Sequence, residues 1–126
     1  MTELRLSSFA DGGNLDKERL ALNAKADLKV GDYAILLSKV SSTGKATSGA
    51  KQAFWFPDQD VKEGDVVILY TKKGVTATKD LSDGRIAHFF YWGMSEAIWT
   101  SDKVAAVVLK VEDWHFRRPA LAPSAD

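Results

Sequence analysis

The strongest constraint on this chain is a set of short apolar runs, each too brief for a buried helix and each closed by turn residues. Residues 31–40 read GDYAILLSKV and residues 65–71 read DVVILYT. Apolar runs of about four to eight residues, rich in branched and aromatic side chains and bounded by Gly, Asp or Lys clusters, suit strands. These two runs are apolar on both faces: Tyr33, Ile35 and Leu37 oppose Ala34 and Leu36, and Val66, Ile68 and Tyr70 oppose Val67 and Leu69. An antiparallel sheet with one wet face alternates cleanly. Part of the second face is therefore expected to be covered, by loops, by the EDWHF segment at 112–116, by a second copy or by a partner.

The rest of the chain follows the same punctuation. ELRLSSF places Leu4 and Leu6 on one side, DGGN at 11–14 is a turn, and ERLALN alternates with Leu20 and Leu22 inward. Leu, Ala, Lys and Glu in LDKERLALNAKADL also favour helix, but the alternation argues for strand. AFWFP stops at Pro57, IAHFFYW and VAAVVLKV complete about seven strands, and SSTGKATSG and KKGVTATKDLSDGR read as loops. MSEAIW, residues 94–99, is expected to form one helical turn with Ser95 as its cap. There is no βαβ alternation and no internal repeat. The expected fold class is all-β, an antiparallel β-sandwich of about seven or more strands spanning residues 1–113. The small, proline-containing tail at 114–126 is expected to be partly disordered.

Bulk properties narrow the function classes. The chain has 126 residues, enough for one domain with a core and too few for two. Lys and Arg number 17 and Asp and Glu number 17, so no excess of cations draws it to nucleic acid or to an anionic membrane. Without cysteine it has neither a disulfide framework nor a thiolate site. The N-terminus lacks a signal-peptide apolar core, and no run approaches the ~20 residues of a membrane span. The expected location is the cytoplasm.

The succession YAILLSKV, FWFPDQDVKEGDVVILYTKKG and HFFYWGMSEAIWTSDKVAAVVL resembles the lamin-tail domain family, an immunoglobulin-like β-sandwich. The family's F-P…L-x-x-G-D/E stretch is similar to Phe56, Pro57, Val61, Gly64 and Asp65. A later stretch is similar to Trp99, Asp102, Val104 and Ala106 to Val108. An early signature is matched by Glu18, Leu20, Leu22, Asn23, Asp27, Leu28 and Gly31, with Asn23 one place early and an extra residue before Gly31. The resemblance covers roughly residues 4–111 and rests on turn and core residues. It implies a stand-alone, non-catalytic interaction or tethering module, with no catalytic residue to carry over.

The densest chemical feature is HFFYWGMSEAIW, residues 88–99. Alternation puts Ile86, His88, Phe90 and Trp92 on one face, expected to be the core, and Ala87, Phe89, Tyr91 and Gly93 on the other. By the same parity Phe54 and Phe56 point inward and Trp55 outward. Trp55, Phe89 and Tyr91 are thus the expected partner-binding residues, as one outward aromatic patch for a protein partner or a second copy. The same rings offer an alternative, a small-molecule or carbohydrate binder. His88, set among rings, reads as a hydrogen-bonded core histidine.

Other motifs carry less. GMSEA approaches a nucleophile elbow, and Asp102 or Asp113 and His115 follow Ser95 in triad order, but the elbow needs a parallel α/β sheet. A small serine hydrolase is therefore a remote alternative, and no catalytic residue is expected. DQDVKEGD does not fit an EF-hand loop and reads as a solvated turn with Gly64 at positive φ. STGKAT lacks the first glycine of a P-loop. No metal, cofactor, nucleic-acid or membrane partner is expected.

Overall fold

The computed structural model describes residues 3–120. Ten strands run in order: β1 Leu4–Ala10, β2 Arg19–Ala24, β3 Leu28–Lys29, β4 Tyr33–Lys39, β5 Gln52–Trp55, β6 Asp60–Val61, β7 Val66–Tyr70, β8 Ala77–Asp80, β9 Ile86–Tyr91 and β10 Val104–Lys110. A 3₁₀ turn at Val30–Asp32 leads into β4. The order β1-β2-β7-β9-β8 forms one sheet, β10-β4-β5 a second, and β3-β6 a two-residue ribbon. The architecture is a β-sandwich, as the apolar runs require.

Its core lies between the two larger sheets. Leu20 and Leu22 from β2, Val67 and Leu69 from β7, Phe90 from β9 and Tyr33 and Ile35 from β4 are essentially inaccessible. Phe54, Leu37, Trp92, Val104, Ala106 and Val108 pack against them. Fully burying one such large side chain stabilises by about 1.5–3 kcal/mol. Phe56 closes the core edge-on against Phe54 and Phe90, with both centroid separations at 5.1 Å.

Four local expectations are corrected. The KKGVTATKDLSDGR segment contains a strand, β8, whose four residues are all exposed at the sheet edge. It escapes the apolar-run criterion because it buries nothing. The sheets are not wholly antiparallel: β7 and β9 pair in parallel, Val66 opposite Ala87 through Tyr70 opposite Tyr91. The chain leaves β7, forms β8 at the edge and returns through β9 between them. Residues 94–99 form a bend rather than a helical turn. That segment is held from outside itself, since Ile98 and Trp99 donate their N–H groups to Glu18. Finally, Leu4 is buried but Leu6, opposite Leu22, is 38% exposed at the point where β1 begins a register slip that ends at Ser8. The tail expectation falls partly outside the described residues, at 121–126; residues 114–120 carry no regular structure.

Candidate functional site

The register decides which side chains leave the core. Across β5, β4 and β10, Trp55 pairs with Ala34 and Ala34 with Leu109; Ala53 pairs with Leu36 and Leu36 with Val107; Ser38 pairs with Ala105. Their neighbours Ile35, Leu37, Phe54, Ala106 and Val108 pack into the core, so these residues form the outer face of the three-stranded sheet. It contains no charged side chain. At one end the Ser38 hydroxyl donates to the carbonyl of Thr47, laying the 40–51 loop beside the face. At the other end Trp55 and Leu109 are 50% and 41% exposed.

Trp55 ends β5 because Phe56 turns inward and Pro57 brings no N–H to continue the ladder. Its indole Nε1–H donates to the Gly31 carbonyl at 2.7 Å, which fixes the ring plane. Beyond β10, Val111 donates its N–H to the Asp32 carbonyl, turning the chain towards the same corner. Trp114 then meets Trp55 nearly at right angles, with centroids 5.1 Å apart, and Phe116 follows at 6.2 Å from Trp114. Trp114 is still 58% exposed and Phe116 73%. Between the two indoles and Lys29 of β3, Asp32 of the 3₁₀ turn and Asp58 lies a cleft of about 540 Å³.

Phe89 and Tyr91 stand elsewhere, on the outer face of the five-stranded sheet, so the expected single patch with Trp55 does not form. Parity along a strand says which residues share a face of that strand, not which strands share a sheet. The ring faces of Tyr91 are occupied. On one side Tyr70 stacks at 5.3 Å and 11°, and on the other lies the backbone of Gly74, where a Cβ would come within 2.3 Å of the ring. Tyr70 in turn lies beneath the guanidinium of Arg19 and the ammonium of Lys72. Tyr70 and Tyr91 therefore present edges, with no flat platform for a ligand.

Two buried polar constellations serve the fold. Glu18 is fully buried and accepts from four donors: the N–H groups of Gly13, Ile98 and Trp99, and the Thr71 hydroxyl. Burial pushes its carboxyl up, but the Thr71 hydroxyl and the three N–H donors outweigh it and leave the pKa below the ordinary value. Asp65 lies 3.0 Å from His88 Nε2, and His88 Nδ1 lies 2.7 Å from the Gln59 amide nitrogen. The Nε2–H tautomer satisfies both contacts, donating to Asp65 and accepting from Gln59. Asp65 also accepts from Lys62 and Ile86 N–H. Burial raises its carboxyl, and the His88 ring and the two N–H groups reverse that shift to a net lowering. His88 is thus the core histidine expected from its setting.

The remaining candidates are separate. Ser95 borders a shallow hollow with Gln52, at the end of β5 opposite Trp55. His115 follows Trp114 in the exposed C-terminal segment, and among the described residues no hydrogen bond joins it to Ser95. Among the same residues no group of three or more His, Asp or Glu is arranged to hold a metal ion. Sequence reasoning named Trp55 and offered the EDWHF segment as a cover for the second face, which Trp114 provides in part, but it missed Asp32 and Asp58 as neighbours of Trp55. The only available signal was the unplaced aromatic pair in EDWHF.

The fold and this corner together define a two-sheet β-sandwich with an uncharged outer face and an indole-walled cleft at its end. Protein-family models give no match to the chain, and neither do curated proteins.

Proposed function

We propose that the domain is a non-catalytic interaction module of lamin-tail type that assembles with a second copy through the outer face of β10-β4-β5. The carrying observation is that face: Trp55–Ala34–Leu109 and Ala53–Leu36–Val107 cross three strands without a charge, and Ser38–Ala105 extends it across two, with Ser38 buried beside the 40–51 loop. Facing itself about a twofold axis, it opposes no like charges. The outer face of the five-stranded sheet carries Arg5, Arg19 and Lys79 around its rings and is less suited to self-contact.

The lamin-tail reading draws support from what its motif residues do. Phe56 and Val61 are buried, Gly64 takes φ 90°, and Asp65 ties its turn to β9. Glu18, Leu20 and Leu22 are buried too.

Size bears on the strength of assembly. Two seven-residue strands and the four-residue β5, at about 3.3 Å per residue and 4.8 Å spacing, cover roughly 300 Å². A stable interface buries about 800 Å² per partner. The 40–51 loop and the exposed corner at Leu109 must add to the contact, and the dimer is expected to be concentration-dependent. Light scattering across a concentration series should show the mass rising from 13.8 kDa towards twice that value. Val107→Glu and Leu36→Glu should stay monomeric while keeping the wild-type near-ultraviolet circular dichroism. A wild-type chain at monomer mass throughout would sink self-association.

A further inference from the structure

We infer that the Trp55–Trp114 cleft is a binding site for a neutral pyranoside, a carbohydrate without phosphate or sulfate. Three observations point to this class. The walls are two half-exposed indoles that meet edge to face at 83°, and the ring surface left outside that contact is a flat apolar surface for the C–H face of a sugar ring. The rim holds two carboxylates, Asp32 and Asp58, and one ammonium, Lys29, acceptors and a donor suited to hydroxyl groups. The volume, about 540 Å³, falls within the roughly 300–1,000 Å³ of small-molecule sites.

Other ligand classes fit less well. Two carboxylates against one lysine disfavour phosphate or carboxylate ligands, and with them nucleotides. A wholly apolar ligand would use the indole walls but leave the three charged rim groups without a part in recognition. A polyol with an apolar face matches both walls and rim.

The site is also partly preorganised. The Trp55 indole nitrogen is spent on the Gly31 carbonyl, so the ring is held for stacking rather than free to rotate. Asp58 is seated directly on Gly31: a Cβ there would stand 2.0 Å from Asp58 Oδ1. Only glycine lets the Asp58 carboxylate approach the 3₁₀ turn this closely.

The cleft shares Trp55 with the proposed dimer face, but its Trp114 wall and its Lys29, Asp32 and Asp58 rim lie outside that face, so the two readings are separable by substitution. Val107→Glu should abolish the dimer and leave sugar binding intact; Asp58→Asn should do the reverse. The experiment is a titration of the full chain and of the Val107→Glu monomer with neutral gluco-, manno- and galacto-oligosaccharides and chitooligosaccharides, read by tryptophan emission and calorimetry. At least one series is expected to shift the emission and saturate. Trp114→Ala lies in the exposed C-terminal segment and does not threaten the core; it should weaken that binding tenfold or more, as should Asp58→Asn. Silence across all four series overturns the proposal. So does binding that survives both substitutions, or a preference for the phosphorylated form of the same sugar.

Discussion

Glu18 shows how one buried side chain can hold distant parts of a chain together. Its four donors come from the 11–14 turn, the end of β7 and the segment before β10. Glu18→Ala leaves these donors without their acceptor and should cost about 3 kcal/mol or more in urea unfolding. Glu18 and Asp65 both have native pKa values below those of the unfolded chain. Folding therefore favours their ionised forms, and that stability is fully present above about pH 5. It is lost as pH falls further, through the lowered native values. Unfolding free energies measured between pH 7 and pH 3 should drop in that acid range. The drop should be shallower in a Glu18→Gln, Asp65→Asn double variant, which starts less stable at neutral pH. Tyr33 is the opposite case: its hydroxyl is buried and, among the described residues, finds no partner within hydrogen-bond geometry. Burial raises its pKa against the opposing pull of the Lys110 ammonium. Tyr33→Phe removes that unpaired group, and its stability should match or exceed wild type, within about 1 kcal/mol.

At the scale of elements, strands and their inward faces were legible in the sequence wherever a run buried one full side. Leu20 and Leu22, Val67 and Leu69, and His88 and Phe90 all face the core as alternation requires. Legibility failed where nothing was buried, at β8, and where local geometry broke the period, at the β1 slip. It failed again at 94–99, whose shape is imposed by Glu18 from 76 residues or more away in sequence. The aromatic ladder on β7 and β9 depends on a residue outside both strands, Gly74, which admits the Tyr91 ring. Gly74→Ala should push that ring off Tyr70 and cost about 1–3 kcal/mol. Thermal melts would read the loss, and the near-ultraviolet tyrosine signal would report the broken stack.

For the whole molecule, the apolar second faces noted in the sequence resolve into two unlike surfaces. One is ringed by cations and filled by its own stacked tyrosines; the other is uncharged and open at Trp55. The sequence alone determined the strand composition, the inward parity and the outward direction of Trp55, because a two-residue period ties each side chain to a face. Only the tertiary structure decided which strands share a sheet. That choice rests on long-range pairing, such as the parallel insertion of β9 beside β7, which alternation does not encode. It parts Trp55 from Phe89 and Tyr91 and seats it against Trp114, 59 residues later in the chain.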